Sequence, residues 1–334
     1  MLLVSLFALG LDYLLMALAP NLSWLFVGRA IAGMAGATFA TANAYIADVS
    51  DAEARAQNFG LLGAAWGFGF ILGPVVGGVP GEYGPRVPFF AASALAVANV
   101  AYGFFVLPET LPPASRRAFS FQRANPIGAL AQMARYRGVL VLFGALVLYQ
   151  IAHDANPSTW TYYTMLKFGW TERDVGFSMG VVGLSIAIVQ GLVIRAVIPR
   201  IGDRGAIFVG LLLMASGYLG FSLATEGWMM LAFIIPFSLG GLAMPALRSV
   251  LSDRVAADAQ GELQGAMSSL MSLTAIVAPV FLTQLFGYFT SDAAPFYFPG
   301  ASFFAAAVLT FGSFGVVAFA LFSRGEVAVE SPSA

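Results

Sequence analysis

Four ionisable side chains stand inside long apolar stretches of this 334-residue chain: Asp12, Arg29 and the neighbours His153 and Asp154. Placing such a group in a bilayer costs roughly 2.5–3.5 kcal/mol on insertion scales, so each asks for a functional or structural reason. A carboxylate or imidazole in a cavity of low dielectric can have its proton affinity moved towards neutrality, which proton coupling requires. Asp12, Arg29, His153 and Asp154 are therefore the expected proton-coupling residues. Each also has a plainer reading. Asp12 would serve as a polar contact between helices, Arg29 as a residue snorkelling to the headgroups, and His153 as a satisfied polar side chain. Gln150, one turn before Asp154, favours the functional reading of that pair.

A second concentration of unusual residues lies at 63–78. Gly63, Gly67, Gly69, Gly73, Gly77 and Gly78 surround Pro74. Glycines four apart let helix backbones approach closely, and proline removes one backbone hydrogen bond and favours a bend. The expectation is a helix that packs tightly and pivots. A third group, Gln150, Asn156, Trp160, Gln190, Met244 and Pro245, is expected to line a cavity for an amphipathic ring system, since methionine and aromatic side chains suit varied apolar ligands. Interface anchoring or simple packing is the alternative for these.

The elements that must position these residues follow from composition. Of the residues, 59% are hydrophobic and only 10% charged, against about 25% in ordinary soluble domains. A bilayer removes the need for a polar surface. Apolar runs of about 20 residues predict spans at 2–20, 23–47, 57–79, 88–107, 138–163, 174–197, 205–223, 228–250, 262–287 and 300–322. Alternate loops and ends hold twelve arginines (Arg55, Arg116, Arg117, Arg123, Arg135, Arg137, Arg195, Arg200, Arg204, Arg248, Arg254 and Arg324), and the opposite set holds only Arg86, Lys167 and Arg173. That asymmetry predicts an even number of spans with both termini in the cytoplasm. The expected division is a four-span bundle at 1–107, a cytoplasmic linker at 108–137, a six-helix bundle at 138–322 and a disordered tail at 323–334.

An offset of 205 residues pairs Gly36 with Gly241, Asp48 with Asp253, Gly60 with Gly265, Pro74 with Pro279 and Tyr83 with Tyr288. A duplicated half is the expected cause, and parallel halves of this kind mark one large class of transporter. By that repeat the first two spans of the second half, 138–163 and 174–197, have no counterparts. The expectation is a first half short of roughly 70 residues and two helices. A protein of ten spans in its own right is the alternative.

At these residues the chain resembles the major facilitator superfamily, and within it the tetracycline and multidrug proton antiporters. Gly69-Phe-Ile-Leu-Gly73-Pro74-Val-Val-Gly77-Gly78 matches the antiporter signature Gly-x-x-x-Gly-Pro-x-x-Gly-Gly. The run from Gly28-Arg29 through Gly33 and Gly36 looks like the superfamily's arginine motif, associated with proton transfer. Leu11-Asp12-Tyr13-Leu14-Leu15, Phe168-Gly169-Trp170 and Leu242-Ala243-Met244-Pro245-Ala246-Leu247 are similar to stretches of the tetracycline exporters. The resemblance implies an all-α membrane protein of about ten spans with an incomplete N-terminal half, in a bacterial cytoplasmic membrane. It implies a proton-coupled antiporter of tetracycline-like compounds, working as a monomer by alternating access. It also implies gating residues: Asp48, whose arginine partner falls in the loop this chain lacks, and Asp253, which has Arg200 or Arg204 within reach.

A facilitator-type importer and a transport-inactive chain are the rival expectations. The glycine–proline helix argues against the importer, and the two unmatched spans argue for inactivity. An enzyme is not expected, because no nucleophile–base pair or cofactor motif is present. The absence of cysteine and the single histidine exclude a thiolate nucleophile and a cysteine or histidine metal cluster. No cofactor is expected. A net charge of −1 gives no reason to expect nucleic-acid binding.

Overall fold

The computed structural model describes residues 2–34, 76–108, 137–255 and 260–322, together with positions 41–42, 45–46, 49, 65, 68–69 and 72–73. Asp48, Pro74, the linker arginines before Arg137 and the tail from 323 lie outside the described residues. Every regular element among the described residues is helical. Six helices are long and apolar enough to cross a membrane, and Leu2–Leu18 and Leu22–Gly33 are shorter apolar helices. Many large apolar side chains face outward, among them Phe105, Leu192, Ile276 and Phe322. In water such a surface would drive aggregation, whereas in a bilayer it is the surface lipid chains solvate.

Helix contacts divide the chain into two compact units, Met1–Phe119 with Thr171–Gly183, and Ser120–Trp170 with Leu184–Ala334. In the first, helix α1 (Leu2–Leu18) lies antiparallel to α3 (Val87–Val106). Small residues set the spacing. A side chain at Gly10 would meet Ala96 at 3.3 Å, and one at Gly103 would meet Leu3 at 2.8 Å. Ser93 donates to the Gly10 carbonyl at 2.8 Å, and Arg86 at the start of α3 donates to the Ala19 carbonyl at 2.9 Å. These two bonds, one midway along α1 and one at its C-terminal end, fix the register of the contact. Helix α2 (Leu22–Met34) opens after Pro20-Asn21, where Asn21 Oδ1 accepts from the Trp24 amide at 3.4 Å, a cap that satisfies one free N–H of the first turn. Its exposed Trp24 and Phe26 face away from the unit.

The second unit begins with α4 (Arg137–His153) and α5 (Ala155–Phe168), which form one candidate span, Gly138–Phe168, broken at Asp154. Pro157 explains the break, because it has no N–H to give the His153 carbonyl four residues earlier. The chain stays coupled across the break through Asp154 N–H to Gln150 O at 3.0 Å and Ser158 N–H to Asp154 O at 3.2 Å. The span expected at 138–163 therefore runs five residues further, and Trp160 to Tyr163 stand inside a helix and not at its end. Gly169, at φ 66°, closes α5 in the left-handed conformation that glycine adopts without penalty.

Helix α6 (Glu172–Ile188), a π-helical turn (Val189–Val193) and α7 (Ile194–Leu223) form one continuous 52-residue apolar element. Such a length, about 78 Å at 1.5 Å per residue, is more than twice a bilayer core. It resolves into two passes at Gly202, whose φ of 70° and ψ of 167° break the helix. These are the separate spans expected at 174–197 and 205–223. Helix α8 (Gly227–Leu239), a 3-10 turn (Gly240–Leu242) and α9 (Ala243–Ser252) make the next pass, and α10 (Gln260–Phe289) and α11 (Ala301–Phe322) follow.

The tight approaches in this unit centre on α7. Added side chains at Gly210, Gly217 and Gly220 would collide with Ala243, Phe237 and Phe233, and one at Gly240 with Met214. Around them sits an aromatic core. The Trp160 ring meets Phe221 at 5.0 Å and Phe303 at 6.2 Å, and Tyr218 meets Phe237 at 5.3 Å, all edge-on. The buried Tyr163 hydroxyl donates to the Phe221 carbonyl at 2.6 Å and accepts from Lys167 Nζ at 3.0 Å.

Candidate functional site

In the first unit Asp12 and Arg29 form a salt bridge, Arg29 Nη2 to Asp12 Oδ2. Asp12 is fully buried, while the arginine side chain is 50% exposed. The geometry has a simple origin in the chain. α1 and α2 are joined by a short turn. Asp12 lies six residues before the end of α1, and Arg29 seven residues after the start of α2, so the two sit at one depth. Gly28 completes the arrangement, since a side chain there would lie 2.6 Å from Asp12 Oδ1. The pair Gly28-Arg29 thus supplies both the room for the carboxylate and its counter-ion. Arg29 also lies over the Tyr13 ring, 5.9 Å from its centre, a cation–π contact. Asp12 Oδ1 has no hydrogen-bond partner among the described residues. A buried carboxylate with one charged partner and one free oxygen can exist in two states, ionised and paired or protonated and released.

In the second unit Gln150, His153 and Asp154 come together at the α4–α5 break. Gln150 Nε2 donates to Asp154 Oδ1 at 3.3 Å, and the imidazole stacks on the Tyr149 ring at 6.1 Å. Asp154 Oδ2 is unpaired among the described residues. Of the residues expected to line a cavity, Asn156 is buried and Trp160 is 1% exposed within the aromatic core. Gln190 is exposed on the π-helical turn, Met244 is half-buried and Pro245 is exposed at the start of α9. Trp160 packs against the Phe221 and Phe303 rings.

The antiporter-signature positions behave unequally. Added side chains at Gly69, Gly73 and Gly77 would meet nothing within 4 Å among the described residues. Gly78 is different. A side chain there would lie 2.9 Å from the Glu172 carbonyl and 3.0 Å from Gly176 Cα, both backbone atoms of α6. Among the described glycines of the signature, the close approach is at Gly78. We expect Gly78→Ala to cost about 1–3 kcal/mol as overpacking does, while Gly73→Ala leaves the melting temperature of the detergent-solubilised protein nearly unchanged. Equal melting temperatures for the two variants would contradict this.

Arg204 and Asp253 line one cavity of about 450 Å³ with Gly202, Asp203 and Arg254. Arg200 instead turns back onto its own helix, donating to the Ala196 carbonyl. No salt bridge joins Asp253 to either arginine among the described residues. Asp48 lies outside the described residues.

Sequence reasoning passed over two features that matter here. One is the equal depth of Asp12 and Arg29, which counting outward from Pro20-Asn21 reveals. The other is the glycine row at Gly210, Gly217 and Gly220, whose spacing of seven and three puts them on one helix face.

The fold and these centres define a multi-pass membrane protein with the architecture of a transporter. The chain belongs to the Major Facilitator Superfamily, whose sequence profile matches residues 1–279 and 159–330. Among its relatives, the class C tetracycline resistance protein of Escherichia coli is 36% identical over 285 residues, which are 85% of this chain and 72% of that protein. The class B protein of the same organism is 32% identical over 86% of this chain and 71% of its own length. Among solved structures, the nucleoside transporter NupG superposes with a TM-score of 0.75 at 13% identity, covering 94% of this chain and 82% of that one. A bacterial homologue of the human lysosomal transporter Spinster gives 0.71 at 14% identity, over 98% of this chain and 84% of the other. These two similarities speak for the fold alone.

Proposed function

We propose that this protein exports small amphipathic compounds of the tetracycline kind across the bacterial cytoplasmic membrane in exchange for protons, as a monomer with both termini in the cytoplasm. The buried Asp12–Arg29 pair is the observation that carries the reading, and the similarity to tetracycline resistance proteins supports the substrate class. In the outward exchange, an ionised Asp12 holds Arg29. A proton arriving at Asp12 neutralises it, releases the guanidinium and biases the helices towards the other facing state. Drug binding biases them the opposite way, and each ligand moves the equilibrium only by its differential affinity for the two states. His153 and Asp154 act as a second protonatable centre at the broken helix, where the backbone can change its bend. Gln190, on a π-helical turn, and the Met244–Pro245 segment border the drug path. π-bulges recur at functional sites.

The test compares tetracycline susceptibility of a host expressing this chain, the Arg29→Ala variant or an empty vector, with membrane levels matched by immunoblot. The wild-type chain is expected to raise the inhibitory concentration several-fold, and the variant to fall to the empty-vector level. Identical susceptibility of all three strains would sink the export reading for tetracycline.

A further inference from the structure

Among the described residues of the second unit, four buried polar atoms have no hydrogen-bond partner: Asp154 Oδ2, Asn156 Nδ2, Tyr218 OH and Ser238 Oγ. Tyr218, Ser238 and Asn156 are 0%, 3% and 6% exposed. Buried polar groups are nearly always paired, so several unpaired groups in one region of a core need a reason. Phenylalanine would fill the Tyr218 site without that burden.

The packing places these groups at one level. Helices α5 and α7 meet where Trp160 contacts Phe221 and Tyr163 bonds the Phe221 carbonyl. One turn before Trp160 is Asn156, and one turn before Phe221 is Tyr218. The Tyr218 ring contacts Phe237, and Ser238 follows it on α8. Asp154 opens the same stretch of α5 and lies within electrostatic reach of Tyr218.

The charged and titratable surroundings of Asp154 are few. Nearest on its own helix pair are Tyr149 and His153, and Arg248 of α9 lies within electrostatic reach of Tyr149. Helices α8 and α11 carry no titratable side chain, and among the described side chains of α10 only Tyr288 titrates, at the far end. Tyr218 is thus the one protonatable group that α7 brings to this carboxylate.

We infer that Tyr218 is a positioning residue for Asp154, its phenol hydroxyl donating to the free carboxylate oxygen when Asp154 is charged, directly or through one water held by Ser238 and Asn156. The inference rests on the reading of Asp154 as a proton-coupling group. In the ionised state the hydroxyl supplies the second hydrogen bond that Gln150 leaves unmade. In the protonated state the carboxyl proton takes over the donor role, and the phenol is free to accept it. Hydrogen bonds to the charged form favour that form.

Infrared spectra of the purified chain in dodecylmaltoside micelles, recorded against pH, read this directly. The carboxyl band that disappears in Asp154→Asn reports protonation of Asp154. In Tyr218→Phe its midpoint is expected to move by about one pH unit towards alkaline pH, as loss of one bond to the carboxylate predicts. The melting temperature should change little, because the phenylalanine ring fills the same volume in the aromatic core. Tyr218→Met, without the ring, should give the same shift. A band that titrates but does not move in either variant overturns the role of Tyr218 alone. A carboxyl band that never titrates between pH 4 and 10 overturns the role of Asp154 in proton coupling, and this inference with it.

Discussion

Replacing Arg29 with alanine is expected to abolish export and to destabilise the protein by about 3 kcal/mol, the lower range for breaking a buried ion pair. The reason is the asymmetry of the pair. Asp12 has no exposed surface and no other partner among the described residues, while the guanidinium is half exposed. Removing the arginine therefore strands the carboxylate, whereas removing the carboxylate leaves an arginine that water or headgroups can solvate. Asp12→Asn should accordingly cost less stability than Arg29→Ala. The double variant Asp12→Asn/Arg29→Ala should recover most of the loss, because no buried charge remains. Neither single variant nor the double should export. Melting temperatures in detergent check the first part, and drug susceptibility checks the second. If the double variant restores export along with stability, the pair is a structural contact and nothing more.

The second large effect is expected at Gly217. A Cβ at this position would lie 2.7 Å from the Phe237 amide nitrogen and 2.8 Å from its Cα and Cβ. The obstruction is backbone, so no side chain can swing aside. Gly217→Leu must separate α7 from α8 and disturb the adjoining contacts of Tyr218, Phe221 and Phe237. Overpacking usually costs 1–3 kcal/mol, and with a backbone obstruction the loss should reach about 3 kcal/mol or more. The variant is expected to yield little folded protein by size-exclusion chromatography. Gly191→Leu, at a site where an added Cβ meets nothing within 4 Å, should elute like the wild type. Equal yields of the two would contradict the packing described.

The spans were largely legible in the sequence because hydropathy and length suffice to mark them. Their ends were less so. α5 runs on to Phe168 because a helix ends where its capping glycine stands, at Gly169, and not where hydropathy fades. The break at Asp154 was readable in principle from Pro157, which leaves the His153 carbonyl without a donor. Asp12 and Arg29 were legible as types, because an ionisable group in an apolar run is conspicuous. Their pairing needed the added step of comparing depths across the turn. Trp160 shows where sequence reading fails for physical reasons. In a membrane both the lipid-facing and the packed faces of a helix are apolar, so composition cannot tell a core aromatic from one facing a cavity. The glycines show the same limit. The run at 69–78 is denser than the row on α7, yet Gly69, Gly73 and Gly77 stand clear of described neighbours while Gly210 and Gly217 carry backbone contacts. Density of glycine marks permission for close approach. The partner helix decides where it is used.

Proton movement driven by drug is the most direct test of the account. Inverted membrane vesicles from cells expressing the chain would be energised by respiration, and lumenal pH followed with a fluorescent dye as tetracycline is added. Exchange predicts that lumenal pH rises on addition, and that vesicles carrying Arg29→Ala give no response beyond the empty-vector control. Accumulation of tetracycline in wild-type vesicles without any change in lumenal pH would contradict proton coupling through Asp12 and Arg29.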